Sequence, residues 1–315
     1  MKPEVFTEWL RIRGYNIVRT NTSLWYDPGF RVYQAIPYHW IIDPQQEELD
    51  DLLSMQKAIA LRYSTPLEAP VGKISYHVIV KGQNFNIKSI SNRKARQDIK
   101  RGLKYADIYQ ISFSRLAAEG WNLRSKVLTR QGRQGYETQI EWELLCRSAA
   151  SFPGFEAWGA IHKGELISSL LAFICDDCYT LIYQQSSPEH FKSGVNNAII
   201  YTVIKQALER SEISQVFISL HSLDAPSSVD AFKFRMGFNA LPVRQRVVFN
   251  SKLQPFINRG SHAIIQRVLN LLPNNSTLAK AEGMLSFYLE GQRPLSEQNW
   301  PDILLGRKEE LIHIQ

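Results

Sequence analysis

The sequence is poor in cysteine: its 315 residues contain only Cys146, Cys175 and Cys178. Three cysteines are too few for the disulfide framework that holds small secreted proteins together. A zinc site at the Cys175/Cys178 pair would need two further ligands at a suitable spacing, and none is evident. We therefore expect no metal, and we interpret the pair as small apolar residues on two adjoining strands.

Long apolar runs are also lacking. No run reaches the length of about eighteen residues that a membrane-spanning helix requires. The first nine residues, MKPEVFTEW, are acidic in character and lack the apolar core of a signal peptide. We find neither an internal repeat nor a low-complexity stretch. The expectation is a cytoplasmic protein without a transmembrane segment.

The charge is positive. Lys and Arg together number 37 against 30 for Asp and Glu, which gives a net charge of +7. Such an excess suits a partner that carries phosphate groups, such as a cofactor, an RNA or an anionic surface. It also suits a protein that is merely kept soluble by its charge, and the composition leaves both interpretations open.

The first region, residues 1–104, contains short aromatic strands and ends in a basic helix over 93–104. Four cations on that helix recur at helical spacing and share one face: Arg93, Arg96, Lys100 and Lys104. A basic face of this kind is commonly just solvated. The alternative is a docking surface for a polyanion.

The middle region, residues 105–250, predicts an α/β (α+β) fold with a mixed sheet flanked by helices. The pattern predicts a strand at 108–113, helices at 113–129 and 138–151, a three-stranded meander between 155 and 183, a crossover helix at 197–208, a strand at 215–220, a short helix at 227–236 and a strand at 244–249. A strand, crossover helix and strand in this order imply a parallel pair beside the meander. The tail, residues 251–315, reads as helices broken by prolines.

This order of elements resembles the fold of the GNAT acyltransferases. The segment VDAFKFRMGF, residues 229–238, looks like the helix that closes that fold. Phe232 and Lys233, placed just before Met236 and Gly237, are similar to the Fem-type peptidyltransferases and their acyltransferase relatives. Since those proteins carry two GNAT-like domains, the resemblance implies that 1–104 is a reduced first copy, 105–250 the GNAT-like domain and 251–315 a helical extension.

The resemblance implies a donor site where the fourth and fifth strands of the domain separate. The residues expected to bind the donor lie at the end of the fourth strand and in the loop before the crossover helix: Gln185, Ser186, Lys192, Ser193, Gly194, Val195, Asn196 and Asn197. Backbone amides at a helix N-terminus can hold a pyrophosphate. However, acetyl-CoA enzymes usually have a second small residue in this loop, and here Gly194 stands alone. The alternative is an ordinary helix start, capped by Ser193 or Asn196.

For the chemistry, the resemblance assigns Lys233 as a cation near the developing oxyanion. Its neighbours Phe232 and Arg235 are candidate substrate-binding residues. His221 and Asp224, at the end of the fifth strand, are candidates for a general base or for orienting the substrate. Each has a structural alternative: His221 as a hydrogen-bonded residue at a strand end, and Asp224 as part of a turn.

The expected function is therefore an N-acyltransferase that uses acetyl-CoA or another acyl-CoA. Its acceptor would be an amine on a small molecule or on a cell-surface precursor. The first alternative is a Fem-type peptidyltransferase that uses an aminoacyl-tRNA bound through the helix at 93–104, although the coiled-coil insertion common in such enzymes is not evident. The second is a degenerate GNAT fold that binds without catalysing.

Overall fold

The computed structural model describes residues 1–130, 132, 137–222, 227–272 and 275–313. The chain divides into two compact units. The first combines Met1–Arg13, Ile79–Ile218 and Ser227–Asn239; the second combines Gly14–Val78, Ser219–Pro226 and Ala240–Gln315. Each unit is thus assembled from separate stretches, whereas the sequence suggested three consecutive regions.

The described residues form mixed α/β structure, which confirms the predicted fold class. The strands are β1 (Ile17–Arg19), β2 (Leu24–Tyr26), β3 (Val32–Ile36), β4 (Ala60–Thr65), β5 (Lys73–Lys81), β6 (Asp107–Gln110), β7 (Phe155–His162), β8 (Glu165–Cys175), β9 (Cys178–Ser186), β10 (Gln215–Leu220) and β11 (Asn239–Phe249). The helices are α1 (Pro3–Ile12), α2 (Gln46–Met55), α3 (Arg93–Tyr105), α4 (Phe113–Arg130), α5 (Gln139–Ala150), α6 (Val195–Leu208), α7 (Ser227–Arg235), α8 (Arg259–Leu271), α9 (Ser276–Gly291), α10 (Asp302–Leu305) and α11 (Lys308–Ile312). Within these described helices, none has the length and apolarity needed to cross a bilayer.

The sheet of the first unit has the strand order β10-β9-β8-β7-β6. Strands β6 to β9 pair antiparallel with their neighbours, and β10 runs parallel to β9. Lys163 and Gly164, with φ angles of 51° and 85°, form the tight turn between β7 and β8. Two consecutive positive φ angles match the twist of a hairpin, which is why the glycine is useful here. The predicted meander and parallel pair are both present.

Helices cover this sheet on its faces. The spacing of Thr138 and Glu141 in the sequence predicts a capping box at the start of α5. The structure confirms it: the Thr138 side chain accepts a bond from the Glu141 amide, and the Glu141 side chain accepts one from the Thr138 amide. On α1, Phe6 lies 5.2 Å from Phe173, ring centre to ring centre. The Trp9 indole, 1% exposed, donates to the carbonyl of Leu145 on α5. This aromatic packing ties the N-terminal helix to the first unit.

The second unit has the strand order β1-β2-β3-β4-β11-β5. Strands β3 and β4 pair in parallel, and β4 pairs antiparallel with β11, from Thr65 opposite Arg244 to Ala60 opposite Phe249. Helix α9 contributes Phe287 to a buried cluster with Ala60 of β4. The C-terminal tail therefore shares a core with the N-terminal region.

Candidate functional site

Strands β9 and β10 separate partway along their length. Their paired residues end at Thr180 and Phe217, although β9 continues for six residues to Ser186. Residues 181–184 of β9 are only half-buried. The separation lies between the fourth and fifth strands of the first unit, where the sequence predicts the donor site.

Polar side chains collect at the far end of β9. The Ser186 hydroxyl lies 2.7 Å from the Ser168 hydroxyl of β8 and donates to Asn196 Oδ1 at 3.1 Å. Gln184 Nε2 donates to the same Asn196 oxygen at 2.5 Å. Ser168 and Ser186 are 0% and 3% exposed. These hydrogen bonds fasten the first turn of α6 to the end of β9, and they bring together two of the predicted residues, Ser186 and Asn196.

Gln185 occupies the opposite side of β9 from Gln184 and Ser186, because side chains alternate along a strand. It is 1% exposed, and its Oε1 accepts a bond of 3.0 Å from the Ser169 hydroxyl. Its Nε2 is buried and has no hydrogen-bond partner among the described residues. Leaving a buried amide donor unsatisfied costs about 1–3 kcal/mol. An unused donor at the strand separation is suited to a ligand oxygen.

The predicted site residues did not include Ser168, Ser169 or Gln184. The signal available was a pair of serines within the run ELISSLLAFIC, an otherwise apolar strand. Small polar residues in the middle of a buried strand require partners. Here those partners are the predicted residues of β9.

The loop before α6 is shaped by packing. Gly194 has φ +81°, and a Cβ there would lie 2.2 Å from the carbonyl oxygen of Asp98 on α3. Reciprocally, a Cβ on Gly102 of α3 would lie 2.5 Å from the carbonyl oxygen of Gly194. The two glycines therefore permit α3 and the start of α6 to touch backbone to backbone. This contact accounts for Gly194 without a ligand.

Amides of the loop are largely engaged within it. Gly194 N–H donates to the Phe191 carbonyl, Val195 N–H to the Ser193 hydroxyl, and the Asn197 and Ala198 amides to the Gly194 carbonyl. Lys192 is exposed beside them. The amide cradle for a pyrophosphate stays a prediction, and these bonds favour the alternative of a helix start with Ser193 bonding the first turn.

The end of α7 lies against the start of α6, since Asn197 Nδ2 contacts Met236 Sδ at 3.3 Å. Lys233 Nζ forms a 2.7 Å ion pair with Asp230, and the two side chains are only 14% and 13% exposed. Phe232 is half-buried and Arg235 is exposed. Lys233 is therefore on the helix whose end contacts the start of α6, and its charge is balanced by a carboxylate one turn away.

His221 belongs to the second unit, whereas Lys233 belongs to the first. The His221 ring stacks on Tyr76 at 4.4 Å, and its Nδ1 lies 3.2 Å from the Ser75 hydroxyl. Its backbone carbonyl accepts from Arg62 at 3.1 Å. These contacts fit the structural alternative for His221. Asp224 lies outside the described residues.

The basic helix is present as α3. Arg93, Lys100 and Lys104 are exposed, and Ile99 packs inward. Arg96 differs from the prediction: its guanidinium donates to the carbonyls of Ile90 and Ser91 at 2.6 and 2.7 Å. Arg96 thus holds the start of the helix, so the exposed basic face consists of Arg93, Lys100 and Lys104.

Cys175 and Cys178 face each other across the turn between β8 and β9 as free, buried thiols. Burial raises the pKa of Cys178 to about 12 and also raises that of Cys175. Thiols are nucleophilic or ligate metals as thiolates. Both residues therefore act as small apolar strand residues at neutral pH.

No protein-family model matches the sequence, and no curated protein does either. Solved structures do match. The crystal structure of FemX has a TM-score of 0.53 at 12% identity, over 80% of this chain and 93% of that one. The C-terminal domain of a putative lysylphosphatidylglycerol synthetase from Agrobacterium fabrum has a TM-score of 0.51 at 11% identity, over 84% and 91%. L-PGS from Bacillus licheniformis also scores 0.51, at 10% identity, over 85% and 97%. Identities this low establish the fold alone: the chain shares its fold with FemX and with these lysylphosphatidylglycerol synthetase structures, as the resemblance to Fem-type proteins implies.

Proposed function

We propose that this protein is an acyltransferase that moves an acyl group from a carrier onto an amine. The observation that carries the proposal is the buried, unused amide donor of Gln185 beside the separation of β9 and β10. Acyl transfer needs a donor of hydrogen bonds at the carbonyl oxygen, because negative charge develops there. Gln185 supplies such a donor in a place shielded from water.

In this scheme the neutral amine nitrogen attacks the acyl carbon and a tetrahedral oxyanion forms. Gln185 Nε2 donates to that oxygen. Collapse of the intermediate breaks the bond to the carrier, and the proton lost by the amine passes to the leaving thiol or hydroxyl. Lys233 is the proposed second source of positive charge, and it would act together with its partner Asp230.

Acyl-CoA is one proposed donor, as the order of elements suggests. The engaged amides of the Gly194 loop do not supply its pyrophosphate with a ready site. A second candidate donor, an aminoacyl-tRNA, is favoured by the exposed cations Arg93, Lys100 and Lys104 of α3. It is also favoured by the likeness to FemX and to proteins named for the synthesis of lysylphosphatidylglycerol.

The test is a pair of binding titrations on the intact protein. Calorimetry measures acetyl-CoA binding, and filter binding measures tRNA at several salt concentrations. If the acyl group is carried by tRNA, log Kd rises steeply with log salt concentration. Lys100→Gln/Lys104→Gln should then reduce the slope by the amount that corresponds to about two phosphate contacts. Arg147→Gln/Lys205→Gln is the matched control, since both cations lie on other helices and their side chains are 74% and 43% exposed.

Micromolar acetyl-CoA binding with no specific tRNA binding selects the acyl-CoA enzyme. Salt-sensitive tRNA binding that the α3 variant weakens selects the aminoacyl-tRNA enzyme. Failure of both ligands to bind contradicts the acyltransferase proposal and supports a fold that binds something else without catalysis.

A further inference from the structure

Helix α8 of the second unit carries an exposed apolar stripe. None of its residues is buried. The large apolar side chains that stand in solvent here are Phe256 (68% exposed), Ile264 (61%), Val268 (37%), Leu271 (80%) and Leu272 (51%). A concentration of exposed apolar side chains on one short segment marks an interaction surface. We call the three of these residues that lie on α8 and share one side of it, Ile264, Val268 and Leu271, the α8 stripe.

The stripe results from the helical repeat. Ile264, Val268 and Leu271 are spaced i, i+4 and i+7 and so share one side of α8. The other side is fastened to α9, where His262 Nε2 lies 2.8 Å from Glu282 and Gln266 donates to Glu282 at 3.1 Å. These bonds hold α8 with the stripe turned away from Glu282.

The segment around the stripe carries charge of one sign. Residues 250–275 contain no Asp or Glu, and they include Lys252, Arg259 and Arg267. Arg267 lies between Ile264 and Leu271 along the helix. On the helix circumference it is roughly 40–60° from both, so it flanks the stripe. Arginine stems reach along an apolar boundary while the guanidinium stays in polar surroundings.

We propose that the α8 stripe lies in the surface of an anionic membrane. An apolar stripe flanked by cations on a helix is the arrangement of an interfacial helix, with the apolar side chains at the acyl boundary and the cations among acidic headgroups. A second copy of this chain is a poorer occupant, because it would bring three more cations to the same interface. The surface is independent of the acyltransferase proposal.

The test is vesicle flotation of the intact protein. We expect it to float with phosphatidylcholine vesicles that contain phosphatidylglycerol and to bind much less to phosphatidylcholine alone. Ile264→Gln/Leu271→Gln should weaken the binding at least about tenfold, because two apolar side chains leave the acyl boundary. Arg267→Gln, which removes the cation that flanks the stripe, should weaken it about fivefold. Met55→Gln/Ile140→Gln is the matched control, since both residues are as exposed as the stripe but lie elsewhere.

The proposal is overturned if the wild type does not bind anionic vesicles, or if Ile264→Gln/Leu271→Gln binds them as well as the wild type does. It is also overturned if light scattering without lipid shows a dimer that this variant turns into a monomer, because the stripe is then covered by a second copy. Far-UV circular dichroism should be unchanged in the variants, since every substituted side chain is exposed.

Discussion

Gln185→Met separates a binding role for this side chain from a packing role. The substitution keeps the length of the side chain and removes the unused Nε2 donor. Because burying that donor without a partner costs the folded state about 1–3 kcal/mol, its removal stabilises the fold by the same amount. It also takes the acceptor from the Ser169 hydroxyl, which is 1% exposed, at a cost of the same size. The two terms oppose each other, so we expect the free energy of unfolding to change by less than about 1 kcal/mol.

Adding Ser169→Ala removes the second term, because both polar partners are then replaced by apolar groups. The double variant Gln185→Met/Ser169→Ala should be more stable than the wild type by about 1–3 kcal/mol. Urea unfolding monitored by circular dichroism measures both variants, with an unchanged m-value as the check that the same surface unfolds.

The activity should respond differently. If Gln185 donates to the oxyanion, both variants should lose turnover by about a hundredfold to a thousandfold, with little change in KM. Turnover is measured with the donor that the binding titrations select. Gln139→Met, at an exposed position on α5, is the control and should alter neither quantity. A Gln185→Met protein that is several kcal/mol less stable yet turns over normally would show that the side chain serves packing alone.

Three further predictions follow from particular contacts. Lys233→Met combined with Asp230→Asn should lower turnover about a hundredfold while leaving stability nearly unchanged. Lys233→Met alone should also lower the free energy of unfolding in urea by about 2–4 kcal/mol, because it breaks a mostly buried ion pair. Gly194→Ala should lower the melting temperature clearly, because of the positive φ and the close Asp98 carbonyl, and Gly306→Ala, in open space, should not. Burial lowers the pKa of His77 to about 3, below its ordinary value of 6.5. The unfolded state therefore binds the proton first, and the free energy of unfolding should fall as pH drops from about 6.5 toward 3. A His77→Gln variant whose free energy of unfolding falls with pH as steeply as that of the wild type would contradict this.

Local structure was predictable because its signals are local. The capping box at Thr138 and Glu141 fixes the start of α5, and the turns at 163–164 and 176–177 fix the hairpins of the meander. The start of α2 has no such signal at its boundary. Asp43 has a side chain suited to an N-cap, but the helix begins after Gln45 with no side-chain cap.

Pairings between distant stretches were not predictable. Strand β4, over Ala60–Thr65, was not predicted at all, and the residues of β11 that pair with it lie 179 to 189 positions further along the chain. Nothing in either segment specifies the other, because each is simply apolar on one side and polar on the other. The division of the chain into units rests on such pairings, and so does the placement of His221 with Tyr76.

At the candidate site, the sequence pointed to Gln185, Ser186 and Asn196, and the structure brings polar side chains together there. The hydrogen-bond partners of Ser186 and Gln185 on β8 are Ser168 and Ser169. The sequence pattern places these two serines in the interior of a strand and does not mark them as part of a site. The role of Gly194 could not be read from sequence, because a glycine that admits a phosphate and a glycine that admits a neighbouring helix have the same signature.

The backbone contact between Gly102 and Gly194 has a mechanical consequence. With no side chain between the two backbones to change rotamer, a movement of α3 at this point would displace the first turn of α6. A polyanion bound to the basic face of α3, as proposed above, would then act through this contact on Asn196 and, through its hydrogen bonds, on the end of β9. Coupling of this kind is reciprocal, so a ligand at the end of β9 would change the affinity of α3 for the polyanion by the same factor.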